Sequence, residues 1–250
     1  MKKATTQLRS ANKKLKELDT AKSEFISIAS HQLRTPLTII KGYISMLLEG
    51  SFGRLNEKET DPLKKVYESN ERLIQLVEDL LDISRIESGK LQLNFKEMRL
   101  EEITDSVVEE FTNSAKSKGL DLIYKKPAQP LPKVKIDKEK IRQVVINLID
   151  NAIKYTGRGS VAVSMDKIDG GVYFCVADTG AGISEEELPS LFKKFSRGKA
   201  TSLIDANGTG LGLYVGKMMI EAHHGKIWAE SEGKDKGSKF CFTLPAGKAK

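Results

Sequence analysis

His31 stands in the run Ser30-His31-Gln32-Leu33-Arg34-Thr35-Pro36-Leu37-Thr38, inside an otherwise strongly helical segment. A neutral imidazole keeps a lone pair near physiological pH and needs little activation as a nucleophile. Far downstream lie an Asn-rich helical run from Asn147 to Tyr155 and two Gly-rich loops, Asp178 to Ile183 and Gly208 to Leu213. In this order they suggest a nucleotide site that delivers a phosphoryl group to a histidine.

The Asn-rich run carries the first half of that chemistry. Asn147 and Asn151 are four residues apart and share one helix face, with Lys154 close to it. A neutral amide oxygen can ligate Mg²⁺ without adding negative charge beside phosphates. Lys154 offers a phosphate a point charge. Val144, Val145, Leu148, Ile149 and Ala152 form the apolar side of the same helix.

The two loops supply the second half. Asp178 ends a strand-like run and can accept a hydrogen bond from an exocyclic amine such as that of adenine. Gly180 and Gly182 allow the backbone to approach a flat ring or a phosphate. Gly208-Thr209-Gly210-Leu211-Gly212-Leu213 opens a helix, whose first amides make an anion site. A polar loop, not a strand, leads into it, which excludes a dinucleotide fingerprint, and there is no Gly-Lys-Ser/Thr P-loop. Residues 198–207 read as a lid. Taken singly, each element has a plain reading: a bundle histidine, surface asparagines, an ordinary strand-to-helix turn.

These residues need scaffolding. From Thr5 to about Glu49 no proline precedes Pro36 and no interior glycine precedes Gly42, which predicts one long helix. Leu8, Ala11, Leu15, Leu18, Lys22 and Phe25 follow three–four spacing, a heptad seam with Lys22 as its weak position. Gly50-Ser51-Phe52-Gly53 breaks the helix, and Asn56 with Glu59 reads as a capping pair opening a second one that runs to Glu87. Val66, Ser69, Leu73, Leu76, Leu80 and Ile83 continue the spacing, and Ser88-Gly89 supplies the stop. Two such helices make a hairpin that becomes a four-helix bundle when paired with a second copy. Pro36 removes one helical hydrogen bond beside His31, and Gly89 is a hinge element.

Beyond this point the pattern is mixed. Leu91 to Phe95 alternates as a strand would, 100–115 reads as a helix, and 120–124 and 134–136 read as short strands. Residues 138–155 form a strong amphipathic helix, and 160–168 with 172–177 a hairpin turning at Asp169-Gly170. Residues 185–195 and 211–222 read as helices, with closing strands at 225–230 and 238–244. Without regular βαβ alternation this is an α+β layer.

The motifs together resemble the catalytic core of a bacterial-type sensor histidine kinase. SHQLRTPLT resembles the phosphoacceptor box, NLIDNAIKYT the N box and DTGAGI the first glycine box. FKKF, with Phe192 and Phe195, resembles the F box, and GTGLGL the second glycine box. The nucleotide half is also similar to the wider fold shared with gyrase, Hsp90 and MutL.

The resemblance implies a multidomain α and α+β chain. Residues 1–22 are an N-terminal coiled-coil signalling helix, and 23–90 a dimerisation and phosphotransfer hairpin forming a dimeric four-helix bundle. Residues 91–250 are an α/β sandwich of the Bergerat type that binds ATP. It implies that His31 is phosphorylated, that Asn151 ligates Mg²⁺ with Asn147 near the phosphates, and that Lys154 and Arg197 touch phosphate oxygens. Tyr155 would lie by the adenine and Asp178 would read its amine. Gly180, Gly182, Gly208, Thr209, Gly210, Leu211 and Gly212 would shape the pocket and lid. The implied partners are a second copy of the chain and the receiver domain of a response regulator.

One position departs from the family pattern. The residue after the phosphoacceptor is commonly acidic there, and here it is Gln32, an amide that can orient imidazole but cannot take its proton. Thr35 still matches the position associated with hydrolysis of the partner's phosphoaspartate. Two other classes stay open: a non-catalytic ATP-binding scaffold, and a conformational ATPase without a phosphoprotein intermediate.

Composition bounds the rest. In 250 residues, 39% are apolar, enough for a core, and 30% are charged, which suits long exposed helices. The net charge of +7 gathers partly at the ends, and no basic stripe interleaves with aromatics, which argues against nucleic acid. Cys175 and Cys241 lie in apolar strand-like runs and are expected to be separate buried thiols in a reducing compartment. There is no signal peptide and no apolar run of bilayer length, so the expected location is cytoplasmic, as a free domain or as part of a longer membrane-anchored sensor.

Overall fold

The computed structural model describes residues 2–196 and 209–247, with side chains in the first helix described at 13, 14, 18 and from 21 onward. The chain divides into two compact units, 1–92 and 93–250.

The first unit is a helical hairpin. Helix α1 (Lys2–Leu48) runs unbroken through Pro36, and α2 (Glu57–Glu87) opens on a complete capping box. In that box Glu59 N donates to Asn56 Oδ1 at 3.0 Å while Asn56 N donates to Glu59 Oε2 at 2.9 Å. The turn between the helices uses Gly50 (φ 81°) and Gly53 (φ 116°), a region of backbone space that favours glycine. The antiparallel register is held by Asn70 Nδ2 donating to Leu37 O (2.8 Å) and Ser84 Oγ donating to Ser23 O (3.1 Å). On α2 the side turned to α1 buries Asn70, Val77, Leu81 and Ser84. On α2 the seam seen in the sequence is buried at Ile83 (6% exposed) and left open toward the turn. Val66 and Leu73 on it remain 49% and 48% exposed, as do Leu18 (62%) and Phe25 (72%) on α1.

The second unit is a two-layer α/β sandwich. Its sheet contains β2 (Leu120–Lys125), β4 (Gly159–Ile168), β5 (Gly171–Asp178), β6 (Lys226–Glu230) and β7 (Ser238–Pro245), in the order β2-β4-β5-β7-β6. Only the β2/β4 pair is parallel. That follows from the connection between them, which passes through β3 (Val134–Ile136) and α4 (Lys138–Tyr155) instead of a tight turn. Helices α3 (Leu100–Ser117), α4 and α5 (Gly212–Ala222) pack on the sheet. Leu100, Ile103, Ile141, Leu148, Ile149, Met219 and Ile220 are buried there with Phe174 and Phe242, whose rings stack 4.7 Å apart across the β5/β7 ladder.

Three expectations are corrected. The strand expected at 91–95 lies instead at β1 (Lys96–Met98), where it pairs with β3. The helix expected at 185–195 is a single 3₁₀ turn, Leu188–Ser190. Pro189 withdraws one N–H that a longer run would use, and Phe195 leaves right-handed helical backbone altogether (φ 56°). Cys175 and Cys241 are not separate thiols: they are direct partners across β5/β7, Cα atoms 4.1 Å apart, and joined as a disulfide.

Candidate functional site

In the hairpin, His31 and Gln32 are exposed, one residue beyond buried Ser30. Thr35 Oγ1 donates back to His31 O at 3.4 Å, the bond available to a hydroxyl four residues ahead. Arg34 pairs with Glu78 of α2 at 3.7 Å. His31 is thus presented on a braced helix face with its ring open to solvent.

In the second unit the candidate residues form two clusters on α4. The first joins α4 to the start of α5. Asn151 Nδ2 donates to Asn147 Oδ1 (3.3 Å), and Asn147 Nδ2 is buried without a hydrogen-bond partner among the described residues. Gly212, the first residue of α5, leaves room for Asn147: a Cβ there would lie 2.6 Å from Asn147 Oδ1. A buried amide donor and the first N–H groups of a helix together make an environment for an anion. Before α5, Leu211 N donates to Thr209 Oγ1 (3.2 Å), and Gly210 (φ 69°) passes close to Ser196 O. Leu211 itself is fully buried, so its side chain anchors α5 in the core and only its backbone can line the site.

The second cluster joins the end of α4 to the loop after β5. Asp178 is 9% exposed. Its Oδ1 accepts from Gly180 N at 2.8 Å, and its Oδ2 accepts from the Ser238 hydroxyl. Ala181 N donates to Tyr155 O (3.2 Å), and a Cβ on Gly180 would stand 2.4 Å from that same oxygen. Gly182 (φ 64°) passes so near Gly233 O that a Cβ would approach it to 2.0 Å. Lys154 and Tyr155 are half-buried at this end of the helix.

Sequence reasoning missed the segment that braces this loop. Between β6 and β7, Asp235 N donates to Ala181 O (2.7 Å), Gly237 N to Gly180 O (3.2 Å), and Ser231 Oγ accepts from Ile183 N (3.0 Å). In the sequence, residues 231–237 are only the connection between the two closing strands. The cluster of Ser, Gly and Asp signals a turn but does not say what the turn leans on. A further buried network fixes the other end of α4. Asp137 Oδ1 caps it by accepting from Glu139 N (3.1 Å) and Lys140 N (3.2 Å), while Asp137 N donates to His223 Nε2 (2.9 Å). His223 Nδ1 meets Met219 O at 2.7 Å. Burial holds the His223 pKa below its ordinary value, against the opposing effects of the Met219 carbonyl and Asp137.

The structure therefore brings Gly212 of α5 against Asn147 and Asn151, and Gly180 and Asp178 against Tyr155, at two places along α4. Arg197 and Gly208 lie outside the described residues. His31, Gln32 and Thr35 belong to the other unit.

A phosphoacceptor-type hairpin and an ATPase-type sandwich in one chain define a class, and comparison with known proteins gives the same one. Residues 21–89 match the His Kinase A (phospho-acceptor) domain, and residues 136–248 match the histidine kinase-, DNA gyrase B- and HSP90-like ATPase domain. The chain belongs to the sensor histidine kinases and carries their ATP-binding domain. Among its relatives is the sensor histidine kinase WalK of Bacillus subtilis, 34% identical over 92% of this chain and 37% of WalK. The structure of full-length ShkA in complex with AMPPNP is 28% identical with a TM-score of 0.70, covering 89% of this chain and 45% of that one. The catalytic domain of the histidine kinase ThkA is 31% identical with a TM-score of 0.54, covering 61% of this chain and 96% of that one. The chain spans about a third of the length of curated relatives such as WalK. No helix among the described residues is long and apolar enough to cross a membrane.

Proposed function

We propose that this chain phosphorylates itself on His31 from Mg-ATP and passes the phosphoryl group to an aspartate of a separate response-regulator protein. The observation that carries the reading is the buried, unpartnered Asn147 amide beside Asn151 and the first amides of α5. An orphaned buried donor is costly, and a phosphate oxygen is the acceptor whose chemistry fits it. Asn151 spends its Nδ2 on Asn147, so its amide oxygen is the atom suited to a hard cation. When bound, Mg²⁺ neutralises charge on the transferred phosphate. Lys154 and Arg197 add positive charge to the phosphates, and Asp178, fixed by Gly180 and Ser238, accepts from the adenine amine. The amides of Gly208 to Gly212 shape the phosphate end and lid.

At the acceptor, His31 attacks the γ-phosphorus through a ring nitrogen, and ADP leaves. Gln32 orients the ring, and the proton on the other ring nitrogen passes to water because an amide has no basicity at neutral pH. Thr35, whose hydroxyl rests on His31 O, serves the opposing reaction, in which water hydrolyses the regulator's phosphoaspartate to release inorganic phosphate. The exposed stripe of Leu18, Phe25, Val66 and Leu73 is covered by a second copy, giving a four-helix bundle.

The test is incubation with γ-labelled ATP. The parent chain gains label that is lost in acid and survives alkali, and His31→Gln gains none while still binding ATP. Label that persists on the His31→Gln chain, or label stable to acid, overturns the assignment. Gln32 favours one other reading, an ATP-binding scaffold without kinase activity. A parent chain that binds Mg-ATP yet gains no phosphate over hours would establish that reading instead.

A further inference from the structure

The last four carbonyls of an α-helix have no partner inside it. In α4 these belong to Ala152, Ile153, Lys154 and Tyr155, and all four are taken. Thr156 Oγ1 donates to Ala152 O at 2.6 Å, and the Ala181 amide donates to Tyr155 O at 3.2 Å. The two carbonyls between them are held by a single group from another element. Lys118 Nζ lies 2.6 Å from Ile153 O and 2.8 Å from Lys154 O. Lys118 is the C-cap of α3, and Gly119 (φ 72°) then turns the chain into β2.

We propose that Lys118 is a positioning residue of the nucleotide site. This rests on the ATP reading given above. The turn of α4 that Lys118 grips is the turn from which Asn151, Lys154 and Tyr155 project. Its ammonium makes charge-assisted bonds to the backbone of Ile153 and Lys154, which fixes where the Lys154 side chain starts. It also places a full positive charge on the end of the helix where the macrodipole is negative. Lys154 reaches the phosphates from this turn, so a triphosphate registers any shift in where that side chain starts. An uncharged nucleoside, held by Asp178 and the loop after β5, makes no use of the Lys154 ammonium. A lysine that merely stabilised the fold would weaken every ligand alike.

The experiment uses the whole chain and compares Lys118→Met, Lys118→Gln and Lys118→Arg with the parent. Affinities for Mg-ATP and for adenosine are measured by calorimetry, with melting temperatures recorded without ligand. Lys118→Met is expected to weaken Mg-ATP about fivefold, the upper scale of an exposed charge at a helix end, and to leave adenosine within about twofold. Lys118→Arg restores most of the Mg-ATP affinity, and the neutral Lys118→Gln falls between. Mg-ATP affinity unchanged in both Met and Gln variants overturns the proposal, as does a proportional loss for Mg-ATP and adenosine. Lys118→Gln decides the matter if Lys118→Met does not fold. A parent chain that binds no Mg-ATP overturns the ATP reading itself, and the proposal with it. A parent that binds normally beside an unaffected variant overturns only the role of Lys118.

Discussion

In the proposed phosphorylation of His31, Gln32 is the residue whose chemistry bears most on turnover. It stands where the resemblance implies a carboxylate that receives the imidazole proton, and an amide cannot do so. Gln32→Glu is therefore expected to raise the initial rate of His31 labelling about tenfold or more, a modest share of what a positioned base contributes. An unchanged or lower rate in single-turnover labelling would show that proton removal does not limit the reaction. Asp178 makes a different kind of demand. Both of its oxygens are engaged by donors, Gly180 N and the Ser238 hydroxyl. Asp178→Asn would set an NH₂ against one of those donors, so adenine-nucleotide affinity should fall about tenfold while His31 stays exposed and intact. Displacement of a fluorescent nucleotide measures this. Asp178 stood out in the sequence as an acid ending a strand before Gly-x-Gly, a pattern that taken singly also fits an ordinary strand-to-helix turn. Ser238 did not, since a serine sixty residues away carries no sign of its partner.

Elements decide how those residues are held. Gly212 sits where α5 begins against Asn147, with a Cβ position only 2.6 Å from Asn147 Oδ1. Gly212→Ala should displace Asn147 and cost Mg-ATP affinity while leaving the melting temperature of the ligand-free chain within a few degrees. Affinity equal to the parent's would show that the close approach is incidental. The His223 knot ties the start of α4 to the end of α5 and gives a pH signature. Its folded pKa lies below the ordinary 6.5, so the unfolded chain binds the extra proton first as pH falls. The stability that His223 contributes is full above that value and declines as pH drops below it, because protonated Nε2 can no longer accept from Asp137 N. His223→Gln should flatten this acid-side slope in melting temperatures measured between neutral pH and the onset of general acid unfolding. The same scale shows where periodicity misleads: 185–195 has the composition of a helix, but the chain makes one 3₁₀ turn there and Phe195 turns left-handed (φ 56°).

For the whole molecule, the question is what covers the exposed stripe. Leu73→Glu places a charge on a seam that is 48% exposed in the single chain. It should move the chain from dimer to monomer in sedimentation at micromolar concentration, since burying a leucine contributes roughly 1.5–3 kcal/mol per copy. A dimer that survives unchanged would place the second copy elsewhere. Both long helices, the Asn56–Glu59 cap, the 138–155 helix and the Asp169-Gly170 hairpin were readable from the chain itself. Each depends on groups within one or two turns of one another, where spacing dictates which side chains meet. Tertiary structure alone decided which stripe of α2 faces α1, that Cys175 bonds Cys241 across 66 residues, and that Lys118 closes the end of α4 from 35 residues away. Those pairings follow from sheet register and layer packing. They minimise the free energy of the assembled unit, and no local spacing encodes them.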